Sequence, residues 1–380
     1  MPQRRRDPRL DFFRGLAMLI IFVAHVRGNS WTQFIPARFG FSSAAEIFVF
    51  CSGYASALAF GTVFIRDGWR AGLIRILRRI WALYWVHIGL FLLLAVVSAC
   101  VRFASAATNA SADLGLGAFA TDRLSAIARV MTLSYVPDLL NIIPMYIVLL
   151  GLVPLAMAAC RVSPWLVVVA SAALWLAVQA TDLNLPAGGA AGRVWFFDPF
   201  AWQLLFLTGF AFGMRWLPAP PLDHALLLPV CATAVALSVP LNFWAFTDNV
   251  AALRAIHDAL IPNGVAATTR LHPLRYAHFL CLSYVVLSLI GRAPKALASP
   301  TAAPVLDIGQ QSLPAFVSSV VLAWMAGFIL DVAGRDFMPT AVVNVTGLAT
   351  IYAVARAAAW AKSPRRQRPL EVRRKLLPST

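Results

Sequence analysis

Residues 80–101 and 139–160 form two runs without a single Asp, Glu, Lys or Arg. Each matches the roughly 20 residues an α-helix needs to cross the hydrocarbon core of a bilayer. Eight further apolar stretches accompany them, so that spans are expected at 10–29, 41–64, 80–102, 139–160, 163–180, 199–217, 224–245, 274–291, 310–330 and 339–361. Only 13% of the residues are charged, about half of what a soluble domain keeps on its surface. The expected fold is therefore an all-α, polytopic membrane protein of about ten helices. The first run is interrupted by Arg14 and lacks a small-residue cleavage site, so it is expected to remain as the first span rather than to leave as a signal peptide.

The net charge of +16 is unevenly distributed. With the N-terminus in the cytoplasm, 20 basic residues fall inside, among them Arg4, Arg5, Arg6, Arg75, Arg78, Arg79, Arg292 and Lys295, and 10 fall outside. That asymmetry is the positive-inside pattern and places both termini in the cytoplasm. Residues 1–361 read as one transmembrane domain and 362–380 as a basic tail held against anionic lipid. No folded soluble module accompanies the charge, which argues against nucleic acid as a partner. The five cysteines lie in or at the ends of apolar runs without paired spacing, so neither a disulfide framework nor a metal site is expected. Two longer segments, 103–138 and 246–273, are placed outside; "DNVAALRAIHDAL" in the second has helical spacing.

Ionisable groups inside a span are costly and point to function. The first span contains "LDFFRGLAMLIIFVAH", with Asp11, Arg14 and His25. Eleven residues turn a helix to within about 20° of three full turns and advance it about 16 Å, so Arg14 and His25 share a face. Asp11 stands at i,i+3 from Arg14, close enough to pair. Glu46, in the span that returns from outside, is expected at the depth of His25. Two readings fit that placement: a carboxylate orienting a general base, or a structural His–Glu bond that holds a hairpin together.

Beyond these residues, "RLDFFRGLAMLIIFVAHVRGN", "FGFSSAAEIFVFCSGYASALAFG", "NIIPMYIVLL", "WFFDPFAWQLLFLTGF", "LHPLRYAHFLCLSYVV" and "IGQQSLPAF" resemble, in order, segments of the OpgC family. That family belongs to the integral-membrane acyltransferases related to acyltransferase 3, and the resemblance runs from about residue 7 to residue 330. It implies transfer of an acyl group, succinyl in OpgC itself, from a cytoplasmic acyl-CoA to an osmoregulated periplasmic glucan. The protein would sit in the bacterial inner membrane, with no tightly bound cofactor and acyl-CoA as a substrate. The wider group carries a basic residue, ten intervening residues and a histidine, here Arg14 and His25. The resemblance makes His25 the base that deprotonates the sugar hydroxyl, Glu46 its partner, and Arg14, fixed by Asp11, a lining of the donor's path. Two positions depart from the family pattern: Asn141 stands where relatives often carry Asp, and Asp198 where they often carry Asn.

Arg75, Arg78 and Arg79 would suit the donor's phosphates, since a guanidinium binds phosphate oxygens in pairs; ordinary positive-inside anchoring fits them equally. Ser52 lies in the second span beside Gly53, where close approach is possible. His87 is either a substrate contact or a packing histidine. Arg275 and His278, at i,i+3, are candidates for a sugar or an acyl carboxylate. Trp202 and Gln203 are candidates for stacking on and bonding to a sugar. Gln311 and Ser312 are candidates for the donor or for a helix cap. A transporter or flippase is the competing class, but no inverted repeat or matching pair of broken spans supports it.

Overall fold

The computed structural model describes residues 7–104, 123–137, 140–187, 193–291 and 297–363. Arg4, Arg5, Arg6, Arg292, Lys295, most of the 103–138 segment and the basic tail from residue 364 onward lie outside the described residues. Among those described there is no strand, only an isolated antiparallel bridge between Pro186 and Val194. Among the described residues seven helices are long and apolar enough to cross a membrane: α2 (Ala44–Arg66), α3 (Trp69–Ala104), α5 (Ile142–Ala159), α6 (Pro164–Thr181), α10 (Pro273–Gly291), α12 (Ser312–Ala333) and α13 (Phe337–Ala361). Two shorter apolar helices, α7 (Pro199–Met214) and α8 (Leu227–Asn242), and the charge-bearing α1 (Pro8–His25) occupy the other three expected segments. Among the described residues the other helices of eight residues or more are α4 (Arg123–Met131), α9 (Ala251–Leu260) and α11 (Ala303–Gln310).

The chain divides into two compact units, residues 1–33 with 293–380, and residues 34–292. In the first, α1 begins where Asp7 accepts the Arg9 backbone N–H and Pro8 supplies a ready helical φ. It packs against α11 through two glycines: a Cβ on Gly15 would strike the Val305 carbonyl, and one on Gly309 would strike that of Asp11. Small residues permit this backbone-to-backbone approach. Phe22 lies over Gly347 of α13. Beyond His25 the backbone turns extended at Val26, and a buried amide pair fixes the exit. Asn29 donates to the Val23 carbonyl at 3.0 Å and exchanges two 2.9 Å bonds with Asn344 of α13.

In the second unit α2 opens on a capping box. Ser43 caps the helix, and the Glu46 carboxylate reaches back to the Ser43 N–H at 2.8 Å. Further along, α2 crosses α7 at another glycine pair, Gly53 against the Phe206 carbonyl and Gly209 against that of Phe50. A π turn at Ala57–Gly61 interrupts the helix before its end. The 36 residues of α3 extend for about 54 Å, well beyond the ~30 Å hydrocarbon core.

Candidate active site

The α1 stripe belongs to the first unit. His25, at the last position of the helix, has its Nδ1 2.7 Å from the Ile21 carbonyl oxygen. A carbonyl only accepts, so Nδ1 carries the proton and donates it. When the ring is neutral, Nε2 is therefore the unprotonated nitrogen, with the lone pair a general base requires. Three turns back, Arg14 donates from Nη2 to the Ser312 hydroxyl, while its Nε is buried without a partner among the described residues. Asp11 is buried one turn earlier, at the contact with Gly309. Gln311 sits in the break between α11 and α12, and its Oε1 accepts from Lys362 Nζ at 2.6 Å. Arg14, Ser312 and Gln311 thus gather where α11 hands over to α12. The 298 residues between Arg14 and Ser312 hid that bond from inspection of spacing.

Glu46 anchors a cluster in the second unit. Its side chain is 0% exposed, and Arg275 donates from Nε to Oε1 at 2.8 Å. The other oxygen, Oε2, accepts from the Ser43 backbone and hydroxyl at 2.8 and 2.7 Å. Ser43 was missed in the sequence although the S-x-x-E capping signature in "SSAAE" could have found it; no spacing signal links Glu46 to Arg275. One helical turn on, His278 is held by two hydroxyls. Ser42 Oγ lies 2.8 Å from Nδ1 and Ser238 Oγ 3.1 Å from Nε2. Ser238 gives its own proton to the Val235 carbonyl at 2.7 Å, so His278 donates from Nε2 and accepts at Nδ1. Arg275 and His278 thereby tie α10 to the start of α2 and to α8.

Trp202 and Gln203 are fully buried, with their polar atoms engaged by protein. The indole N–H of Trp202 donates to the Thr268 and Thr269 carbonyls at 3.0 and 3.2 Å. Gln203 accepts from the Ser171 hydroxyl at 2.6 Å and donates to the Ser171 carbonyl at 2.8 Å. Ser52 is buried on α2 beside the Gly53 crossing. His87 is completely buried on α3, and neither ring nitrogen has a partner among the described residues. Arg75 and Arg78 are exposed and Arg79 is half-buried, all near the start of α3. Beside them Asp67 is bound at 2.8 Å by both donors of Arg66, which lowers its carboxyl below the usual range.

At the opposite end of the second unit, Asp198 caps α7 by accepting the Phe200 N–H at 2.9 Å. Its Oδ2 is buried without a partner among the described residues, and burial pushes the carboxyl up to about 7 against the pull of the Phe200 and Ala201 N–H groups and Arg270. Taken by itself, the first unit thus offers a histidine and an arginine aligned on α1, and the second offers exposed arginines at one end of α3.

The profile of one protein family, described as OpgC protein, matches residues 6–363, nearly the whole chain. No curated protein and no solved structure matches it.

Proposed function

The chain belongs to the OpgC family, which implies a membrane acyltransferase for glucan succinylation, and from that premise we propose that it carries a succinyl group from cytoplasmic succinyl-CoA to a hydroxyl of a periplasmic glucan across the bacterial inner membrane. Ten crossings with both termini in the cytoplasm would put the carboxy-terminal end of α1 at the outer face. His25 Nε2 takes the proton of the acceptor hydroxyl as the sugar oxygen attacks the thioester carbonyl. The tetrahedral intermediate collapses by breaking the carbon–sulfur bond, and the departing thiolate takes the proton back from the imidazolium. The ester and free coenzyme A result, and His25 is restored neutral.

The observation that carries this reading is the His25–Ile21 bond, which leaves Nε2 as the basic nitrogen on the same helix face as Arg14. Arg14, with Ser312, is assigned to the donor's path. The about 16 Å between the Arg14 and His25 levels is a distance a pantetheine arm can bridge. The exposed Arg75 and Arg78, with Arg79, are assigned to the donor's phosphates on the cytoplasmic side.

The test uses membrane vesicles of both orientations containing the protein or its His25→Ala form, with labelled succinyl-CoA on one face and glucan on the other. Transfer is expected only with donor on the cytoplasmic face, and is lost in His25→Ala protein that still inserts. Activity of the unaltered protein should fall as pH drops through the pKa of His25. Full activity well below it, or transfer by His25→Ala, would reject the general-base role.

A further inference from the structure

The segment that joins α8 to α10 exposes a run of apolar side chains that the proposed chemistry does not use. Trp244, Phe246, Val250, Ile256, Leu260 and Val265 are between 38% and 65% exposed. At about 100° per residue, α9 sorts its side chains into three arcs. One faces the second unit: His257 Nδ1 donates to the Leu241 carbonyl at 2.7 Å, Leu253 lies beside it, and Ile261, just past the helix, packs with Phe41 and Ala267. A second arc is apolar and exposed, formed by Ala252, Ile256, Ala259 and Leu260. The third, roughly opposite the second, carries Arg254 and Asp258, and Arg254 pairs with Asp248 at 2.6 Å.

The contacts of the packed arc also fix the level of α9. Leu241 lies in the last turn of α8, and the chain enters α10 soon after α9, at Pro273. The helix is therefore held where one apolar helix ends and another begins. Phe243 stacks on Phe39 at 4.9 Å and meets Trp244 and Phe246, an aromatic group at the same end of α8. Aromatic rings collect at the boundary between hydrocarbon and water. The exposed apolar surface continues down α8 at Leu237, one turn before Leu241.

We propose that α9 and the turn that precedes it lie in the interfacial layer of the bilayer, with the Ile256–Leu260 arc seated among lipid acyl chains and the Arg254–Asp258 arc in water. A helix with one apolar and one charged arc, running between two membrane-spanning helices, is suited to that layer. The occupant of the apolar arc is lipid. This inference is independent of the acyl-transfer reading.

The experiment places a nitroxide on Ile256→Cys, Leu260→Cys, Arg254→Cys or Asp258→Cys, one at a time. The background is full-length protein with its five cysteines replaced, reconstituted in phospholipid vesicles. Power-saturation EPR then compares collisions with oxygen, which partitions into lipid, and with a water-soluble nickel chelate. The oxygen-to-nickel ratio is expected to be several-fold higher at 256 and 260 than at 254 and 258. Equal ratios at all four positions would overturn the proposal. So would labels at 256 and 260 that are immobilised and shielded from both reagents, since that would mean a protein covers the arc. Arg254→Cys and Asp258→Cys change only exposed polar positions, so the comparison survives if an apolar-arc variant fails to fold.

Discussion

Removing one side of the Glu46–Arg275 pair strands the other in a site with almost no water, since the two side chains are 0% and 12% exposed. Breaking a buried ion pair in this way typically destabilises by about 3 kcal/mol or more, while removing both charges is far cheaper. Glu46→Gln is therefore expected to lower the Tm of detergent-solubilised protein by several degrees, and Glu46→Gln with Arg275→Gln to recover part of the loss; a double variant no better than the single would show that the pair is not the source. Asp198 makes a pH-dependent prediction. Its folded carboxyl holds a proton up to about 7 and the unfolded one only to 3.8, so the unfolded state loses its proton first and stability falls as pH rises between those values. Asn caps the helix equally well and cannot ionise. The stability of Asp198→Asn relative to the natural chain should thus rise by something on the order of 2 kcal/mol between about pH 4.5 and about pH 8, read as the difference in Tm shifts at the two pH values. Any cost of the amide at the orphaned Oδ2 position is the same at both and cancels. At this scale the α1 stripe was legible, because helical periodicity alone aligns Arg14 with His25. The Glu46–Arg275 bond was not, because 229 residues separate its ends and only tertiary packing brings them together.

At the scale of the helix, all ten apolar segments proved to be helices, because each carries the length and composition that leave a backbone no better partner than itself. Their ends were less legible. The span expected to start at 80 begins at Trp69 instead, since the arginine-rich stretch before it is made of good helix formers and continues the helix past the apolar boundary. The second span starts at Ala44 rather than 41, where the Ser43 capping box sets it. The helical spacing noted around residues 248–260 became α9. Among the glycines at crossing points only Gly53 was marked by its sequence as a place of close approach; no pattern disclosed Gly209, Gly15 or Gly309. Gly53, Gly209, Gly15 and Gly309 each face a carbonyl of another helix at a distance that leaves no room for a Cβ, whereas Gly89 and Gly151 have nothing within 4 Å. Overpacking of this kind costs about 1–3 kcal/mol. Gly53→Ala and Gly309→Ala should accordingly lower the Tm and the yield of monodisperse protein. Gly151→Ala should leave both unchanged, and an equal loss in all three would show that helix crossing is not what these glycines serve.

The topology of the whole molecule turns on three helices. The seven that are long and apolar enough to cross on their own are odd in number, and an odd number of crossings puts the termini on opposite sides. The asymmetry of basic residues favours the same side, which either one or three further crossings would restore; α1, α7 and α8 occupy the three remaining apolar segments, and all three are expected to cross. Each has a reason to look unsuited. α7 and α8, with 16 residues each, span about 24 Å against a core of ~30 Å, a mismatch that local thinning of the bilayer accommodates at modest cost. α1 carries Asp11 and Arg14 with it, but Arg14 is bonded to Ser312 and Asp11 is buried within the protein. Ten crossings are therefore expected. In a cysteine-free background, Asp7→Cys and Lys362→Cys should both resist a membrane-impermeant maleimide in spheroplasts and react after permeabilisation, while Asp248→Cys, in the α8–α10 connection, should react in both. Labelling of residue 7 or 362 alone in intact spheroplasts would mean an odd number of crossings. That result would separate the His25 end of α1 from the periplasm or the tail from the cytoplasm, and the assignment of donor and acceptor to opposite faces would have to be redrawn.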